Sequence, residues 1–171
     1  PHISYQGNGD LRYATFSGTG WLTETVDRGG EVGYYSSQAL DGAGRAHIAA
    51  HDWDRADLRY AYHGGTGWVT ATLDSLGYVG EYTSLELDAE GRPRISYYDH
   101  TNGTLKYACF DGSAWQFQVV DEAGGMFTSL ELDSAGRPHI SYKANSHLMY
   151  AHAVAFSPRA YLPLVLRGNG R

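Results

Sequence analysis

Trp53 stands between Asp52 and Asp54, with Asp57 just beyond, so three carboxylates fall within six residues. Carboxylate oxygens are the ligands calcium prefers. The stretch lacks the Gly and the downstream Glu of a standard calcium loop and occurs once, so a solvated turn is expected, with calcium the weaker alternative and no other cofactor implied. An indole beside acids also suits a hydroxylated ring, whose apolar face stacks on an aromatic while carboxylates and amides bridge its hydroxyls. Tyr34, Tyr35, Tyr78, Tyr82 and Phe127 extend that combination as stacking surfaces, and His100 and Asn102 as hydrogen-bonding groups.

These residues sit in the connections of an internal repeat. Ile3, Ile48, Ile95 and Ile140 occupy near-identical contexts (PHISY, AHIAA, PRISY, PHISY), and Leu11, Leu58, Leu105 and Leu148 recur in the same register, with a period of about 46 residues. The repeats run over 1–35, 36–82, 83–127 and 128–167, all within one domain over 1–171. Each is rich in Tyr, Ile, Thr and Val, broken by Gly, Asp, Asn and Ser, and shows no 3.6-residue apolar period. The third copy predicts strands over 83–88, 94–99, 105–110 and 115–120. Asp88 and Gly91, like Asp133 and Gly136, open and close a turn, while Asn102-Gly103 and Asp111-Gly112 are tight-hairpin dipeptides. Four consecutive antiparallel strands at this spacing describe the blade of an all-β propeller, whose sheets bury both faces by stacking around an axis. In that architecture the segments 6–10, 27–35, 52–57, 74–82, 99–104, 121–127 and 143–147 gather at one rim.

Composition narrows the partners. The net charge is −6 with two lysines and no basic run, so nucleic acid is not expected. The longest apolar run, 160–166, contains Pro163 and is far shorter than the roughly 20 residues that span a bilayer, so no membrane insertion is expected. The single cysteine, Cys109, has no partner for an internal disulfide.

The other repeated side chains read as structure. His2, His47 and His139 share one strand position where the third copy has Arg94, which spoils a metal ring and favours packing and hydrogen bonding. Trp21, Trp68 and Trp115 open the fourth strand of each copy and read as packing, with a lateral pocket between blades as the alternative. Tyr35, Tyr82 and Phe127 are repeat-equivalent and therefore expected as wedges between blades, whereas Trp53 and His100 break the repeat and are the better site candidates. Glu86 and Glu131 are the equivalent carboxylates on inner strands and read as channel lining rather than the carboxylate pair of a glycosidase. No Ser-His-Asp order, phosphate loop or CxxC is present.

The stretch from Ser84 to Trp115 resembles bacterial tandem propellers, lectin-like and sialidase-like, with units of the type S-L-x-L-D-x-x-G-x-P-H-I-S-Y-x-D-x-x-N-G-x-L-K-Y-A-x-x-D-G-x-x-W. Arg94 replaces the His of that pattern. The sialidase-type Asp-box is matched loosely at Asp111 and lost in the other copies. The tail from Tyr161 to Arg167 resembles an ending found on many secreted bacterial proteins, which implies an extracellular or surface location. The resemblance implies a non-catalytic binding module with a glycan as favoured ligand. The alternatives are a structural or self-assembling surface protein, a protein-binding propeller completed by another chain, or, further off, a glycosidase. The first copy starts inside its second strand, so its blade lacks an inner strand. A compact four-bladed ring, a piece of a longer propeller and a ring completed by further chains all fit that count.

Overall fold

The computed structural model describes residues 1–153 and, as backbone, 164–166, and among them every regular element is a strand. The first sheet has β1 (His2–Gly7), β2 (Asp10–Phe16) and β3 (Trp21–Asp27); the second has β4 (Val32–Leu40), β5 (Ala46–Asp52), β6 (Asp57–His63) and β7 (Trp68–Asp74). The third has β8 (Val79–Leu87), β9 (Pro93–Asp99), β10 (Thr104–Phe110) and β11 (Trp115–Asp121). The fourth has β12 (Met126–Leu132), β13 (Pro138–Ala144), β14 (His147–Ala153) and β15 (Leu164–Leu166). Each sheet is an antiparallel meander in chain order, and the first, with three strands, lacks the inner one. β15 gives the fourth blade its outer strand, while the alignment of Phe156 to Tyr161 with the third copy lies outside the described residues.

Inner strands start earlier than the sequence predicts, at Val32, Val79 and Met126. Tyr35, Tyr82 and Phe127 adopt left-handed φ of 51°, 53° and 55°, and the pairing shifts register around each. The strand therefore continues through a bulge. Gly33 and Gly80 next to these bulges lie with the sites of a would-be Cβ 3.0 and 2.7 Å from the Cα atoms of Leu11 and Leu58 in the preceding blade, so only glycine permits the approach.

That approach builds the core. Three apolar clusters form, one at each junction between successive blades, around Leu11 with Ile48, Leu58 with Ile95, and Leu105 with Ile140. Full burial of such a side chain contributes about 1.5–3 kcal/mol. Trp68 meets Tyr13 edge-on at 5.1 Å between ring centroids, and Trp115 meets Tyr60 at 5.2 Å, so these two tryptophans fill the lateral spaces between blades, while Trp21 is exposed against Phe16 of its own blade. Polar ties cross the same junctions: Arg59 pairs with Asp27 at 2.5 Å, Tyr97 and Lys106 donate to Asp74, and Tyr142 donates to Asp121 at 2.5 Å. At the ends of the arc the repeat-equivalent apolar residues are uncovered: Ile3 is 46% exposed and Leu148 80%, where their counterparts within the stack are buried.

Candidate functional site

The two rims of the stack share strands and differ in chemistry. At the rim joining first to second strands, Asp41, Asp88 and Asp133 each accept the amide two residues on and the amide four residues on, as at Asp133 with Ala135 and Arg137, both 2.9 Å. The Arg137 amide holds the Asp133 carboxyl well below the usual range, helped against burial by the Arg137 side chain. His47 Nδ1 meets the Tyr60 hydroxyl at 2.5 Å, and His2–Tyr13 and His139–Tyr150 form the same pair. In the third blade Arg94 takes the histidine's place, pairing with Asp88 at 2.6 Å. These histidines serve packing and hydrogen bonding, as their spacing suggests.

The opposite rim gathers the connections expected there: Val32 N–H donates to Gly9 O at 3.0 Å and His100 N–H to Tyr78 O at 2.9 Å. Between the second and third blades these connections bring an aromatic and ionisable cluster together. Tyr34 and Trp53 stand 5.5 Å apart on the second blade. At the corresponding positions of the third blade stand Glu81 and His100, with His100 Nδ1 3.0 Å from Glu81 Oε2. Tyr78, from the connection between these blades, bridges the two walls, 6.0 Å from Trp53 and 5.2 Å from His100. His51 backs the slot 5.0 Å from Tyr78, its Nδ1–H on Val79 O at 2.9 Å, and burial pushes its imidazole toward the neutral form. Tyr98 lies 5.9 Å from His100 and 6.3 Å from Tyr82.

Tyr35, Tyr82 and Phe127 form a ladder from blade to blade, at 4.5 and 4.4 Å between ring centroids. The ladder connects the blades, as wedges do, and its first two rings also border the slot. Burial, with the neighbouring Tyr82 hydroxyl, pushes the Tyr35 phenol up to about 12. Phe127 stands on the fourth blade, with Lys143 over its ring at 5.8 Å, apart from Trp53.

Several predicted polar ligands have other duties. Asp52 is fully buried and accepts the Arg55 amide and guanidinium, both at 3.1 Å. Asn102 donates through its backbone and side chain to buried Asp99, at 3.0 and 2.9 Å. These bonds close both turns: Asp52 spends its buried carboxylate on Arg55, while Asn102 spends its amide nitrogens on Asp99 and stays exposed. Asp54 accepts the Glu31 amide at 3.1 Å, and Asp57 is buried at the start of β6. Asp52 and Asp57 are cross-strand partners and Asp54 is engaged with the Glu31 amide, and among the described residues no three His, Cys, Asp or Glu side chains are placed to hold a metal ion. Asp111, the Asp-box remnant, accepts the Ser113 and Ala114 amides at 2.8 and 2.9 Å as a turn residue.

Glu81, His51 and Tyr98 are the slot residues that sequence reasoning missed. Glu81 stands where the neighbouring copies have Tyr34 and Met126, so the break in repetition that singles out Trp53 and His100 would have found it too.

No family model matches the sequence, and no curated protein does. Solved structures do. A fucose lectin from Kordia zhangzhouensis, in complex with methyl-fucoside, superposes with a TM-score of 0.53 at 15% identity over 80% of this chain and 99% of that one. A variant of the Aleuria aurantia lectin in complex with Fucα1-6GlcNAc gives 0.58 at 12% identity over 98% of this chain. The chain spans 61% of that lectin's length. At these identities the likeness is one of fold, and the stacked four-stranded sheets are those of a propeller.

Proposed function

We propose that this chain is a non-catalytic carbohydrate-binding module, lectin-like, secreted or displayed on a bacterial surface. The observation that carries the reading is the slot between the second and third blades, where Trp53, 49% exposed, faces the Glu81–His100 pair across Tyr78. An indole face and a carboxylate on the two sides of one tyrosine offer a sugar ring both an apolar platform and acceptors for its hydroxyls. The two lectins of like fold, each solved with a fucoside, favour the same ligand class. Glycoside hydrolysis needs two carboxylates or a substitute across the sugar, and Glu81 has a histidine opposite it. The resemblance of the tail to that of secreted proteins supports the location. A glycan-array screen of the purified chain tests the reading: a selective signal lost in Trp53→Ala supports it, and silence with a multivalent display overturns it.

A second reading, assembly with a further chain, is favoured by the uncovered Ile3 and Leu148. Another blade of this type, seated on either end, would bury them as the internal junctions bury their equivalents. Sedimentation across a hundredfold range of concentration tests it, a constant monomer mass counting against it.

A further inference from the structure

We propose that the slot between the second and third blades selects a sugar carrying a free, protonated amine, with Glu81 receiving the ammonium; this rests on the carbohydrate reading above. The Glu81 side chain is 8% exposed, and its one hydrogen-bond donor among the described residues is His100, itself 64% exposed. A carboxylate so far removed from water calls for a counter-charge as well as donors. His100 is a counter-charge only when its imidazole is protonated, and the permanent cations nearby are committed or distant. Arg55 is bound to Asp52 and to Gly29 O, and Lys143 lies over Phe127 on the fourth blade. The other charges beside the slot are acids: Glu31 accepts the Tyr34 hydroxyl at 3.1 Å, and Asp54 holds the Glu31 amide at 3.1 Å. The walls are rings, Tyr34, Trp53, Tyr78 and Tyr98, whose faces attract cations.

A neutral sugar would supply donors to Glu81 and no permanent counter-charge, whereas an ammonium supplies both beside the titratable His100 and gains from the aromatic faces. Acetylating the amine removes the charge and adds bulk where the carboxylate sits. Nor does the fold need this charge, since Tyr34 and Met126 occupy the equivalent position in neighbouring blades.

The test is calorimetric titration of the whole chain with methyl glucosaminide and with methyl N-acetylglucosaminide, at low salt and at a pH where the amine is protonated. The amine should bind at least about tenfold more tightly, as a charge-assisted hydrogen bond would give. Glu81→Gln should reduce that preference to near unity. Equal or tighter binding of the N-acetyl sugar, or a preference that survives Glu81→Gln, would overturn the proposal while leaving the carbohydrate reading in place. Should Glu81→Gln fail to fold, His100→Ala takes its place: freed of its partner, Glu81 should bind the amine more tightly, and weaker binding refutes the assignment. Tetramethylammonium serves as a cation without a sugar. If it binds through Glu81 while neither sugar does, this proposal fails, and the glycan array decides the carbohydrate reading separately.

Discussion

At one rim of the stack Asp41, Asp88 and Asp133 close the same turn three times, while at the other Tyr34 and Trp53 give way one blade later to Glu81 and His100. Both rims are made by the same hairpins, so the difference is not one of architecture. Repetition marks side chains that every blade needs in order to stack. Its loss marks positions that stacking leaves free, and there a ligand has room to dictate the residue. The contrast yields a rule that mutation can break: repeated residues should govern stability and leave binding alone, and off-repeat residues should do the reverse.

The largest effect is expected at a repeated junction. Asp74 accepts Tyr97 at 2.7 Å and also Lys106, across the second and third blades. Burial pushes its carboxyl up, and these two donors outweigh that and hold it below its ordinary value. Asp74→Ala leaves the buried Tyr97 hydroxyl unpaired and the Lys106 ammonium with only the more distant Asp99 carboxylate at 3.8 Å, at a cost of about 3 kcal/mol in urea unfolding. Because the folded carboxyl is depressed, its contribution is present above the ordinary carboxylate value and fades as pH falls through the folded one. The gap between variant and parent should narrow in acid.

Trp53→Ala is the converse. The indole is half exposed and lies outside the three apolar clusters, so the unfolding midpoint should move little. Glycan affinity should fall at least about tenfold, the loss of one aromatic platform, read by titration against any sugar the array identifies. A large loss of stability without a change in binding would invert the contrast between the rims.

How much of this was legible follows the same line. The blade, its strand order and the missing inner strand came from Ile3, Ile48, Ile95 and Ile140 and from the turn dipeptides, because core and turn residues recur. The inner-strand starts were misjudged because the bulge puts Tyr35, Tyr82 and Phe127, not glycine, at positive φ, and nothing in an aromatic residue announces that conformation. Asp52 reads two ways in the sequence because Asp serves turns and ligands with the same oxygens. Its equivalent, Asp99, was the available clue, since both hold the residue three positions on. Glu81 breaks the repeat as Trp53 and His100 do, so the same criterion extended along the inner strands finds it.

A smaller effect is expected from restoring the repeat. Arg94→His gives the third blade the imidazole that His47 and His139 provide in theirs, facing Tyr107 and Asp88. A neutral imidazole replaces the guanidinium's short pair with Asp88, so a loss of about 1 kcal/mol is expected near neutrality. At the equivalent His47, burial lowers the imidazole's pKa, with Asp41 only partly offsetting it. A depressed histidine favours the fold above its ordinary pKa and loses that contribution as pH falls. The deficit of the variant should therefore widen in mild acid, measured by paired urea melts. No change at any pH would mean the turn rim tolerates variation as freely as the slot.

The smallest effect tests whether repetition always means stabilisation. Glu86 and Glu131 recur on neighbouring inner strands, where the second blade has Ala39. Burial, and then the like charge of Glu131, push the Glu86 carboxyl above its ordinary value. A raised carboxyl means that the folded state binds its proton more readily than the unfolded one. The penalty is therefore absent below the ordinary value and fully present above the raised one. Glu86→Gln should accordingly raise the thermal midpoint slightly at neutral pH, and the gain should vanish in acid once the parent is protonated. A midpoint that falls at neutral pH would show that this repeated carboxylate supports the stack like the turn aspartates. A rise would place it with the positions that stacking merely tolerates, and repetition alone would then be too weak a guide to what holds the blades together.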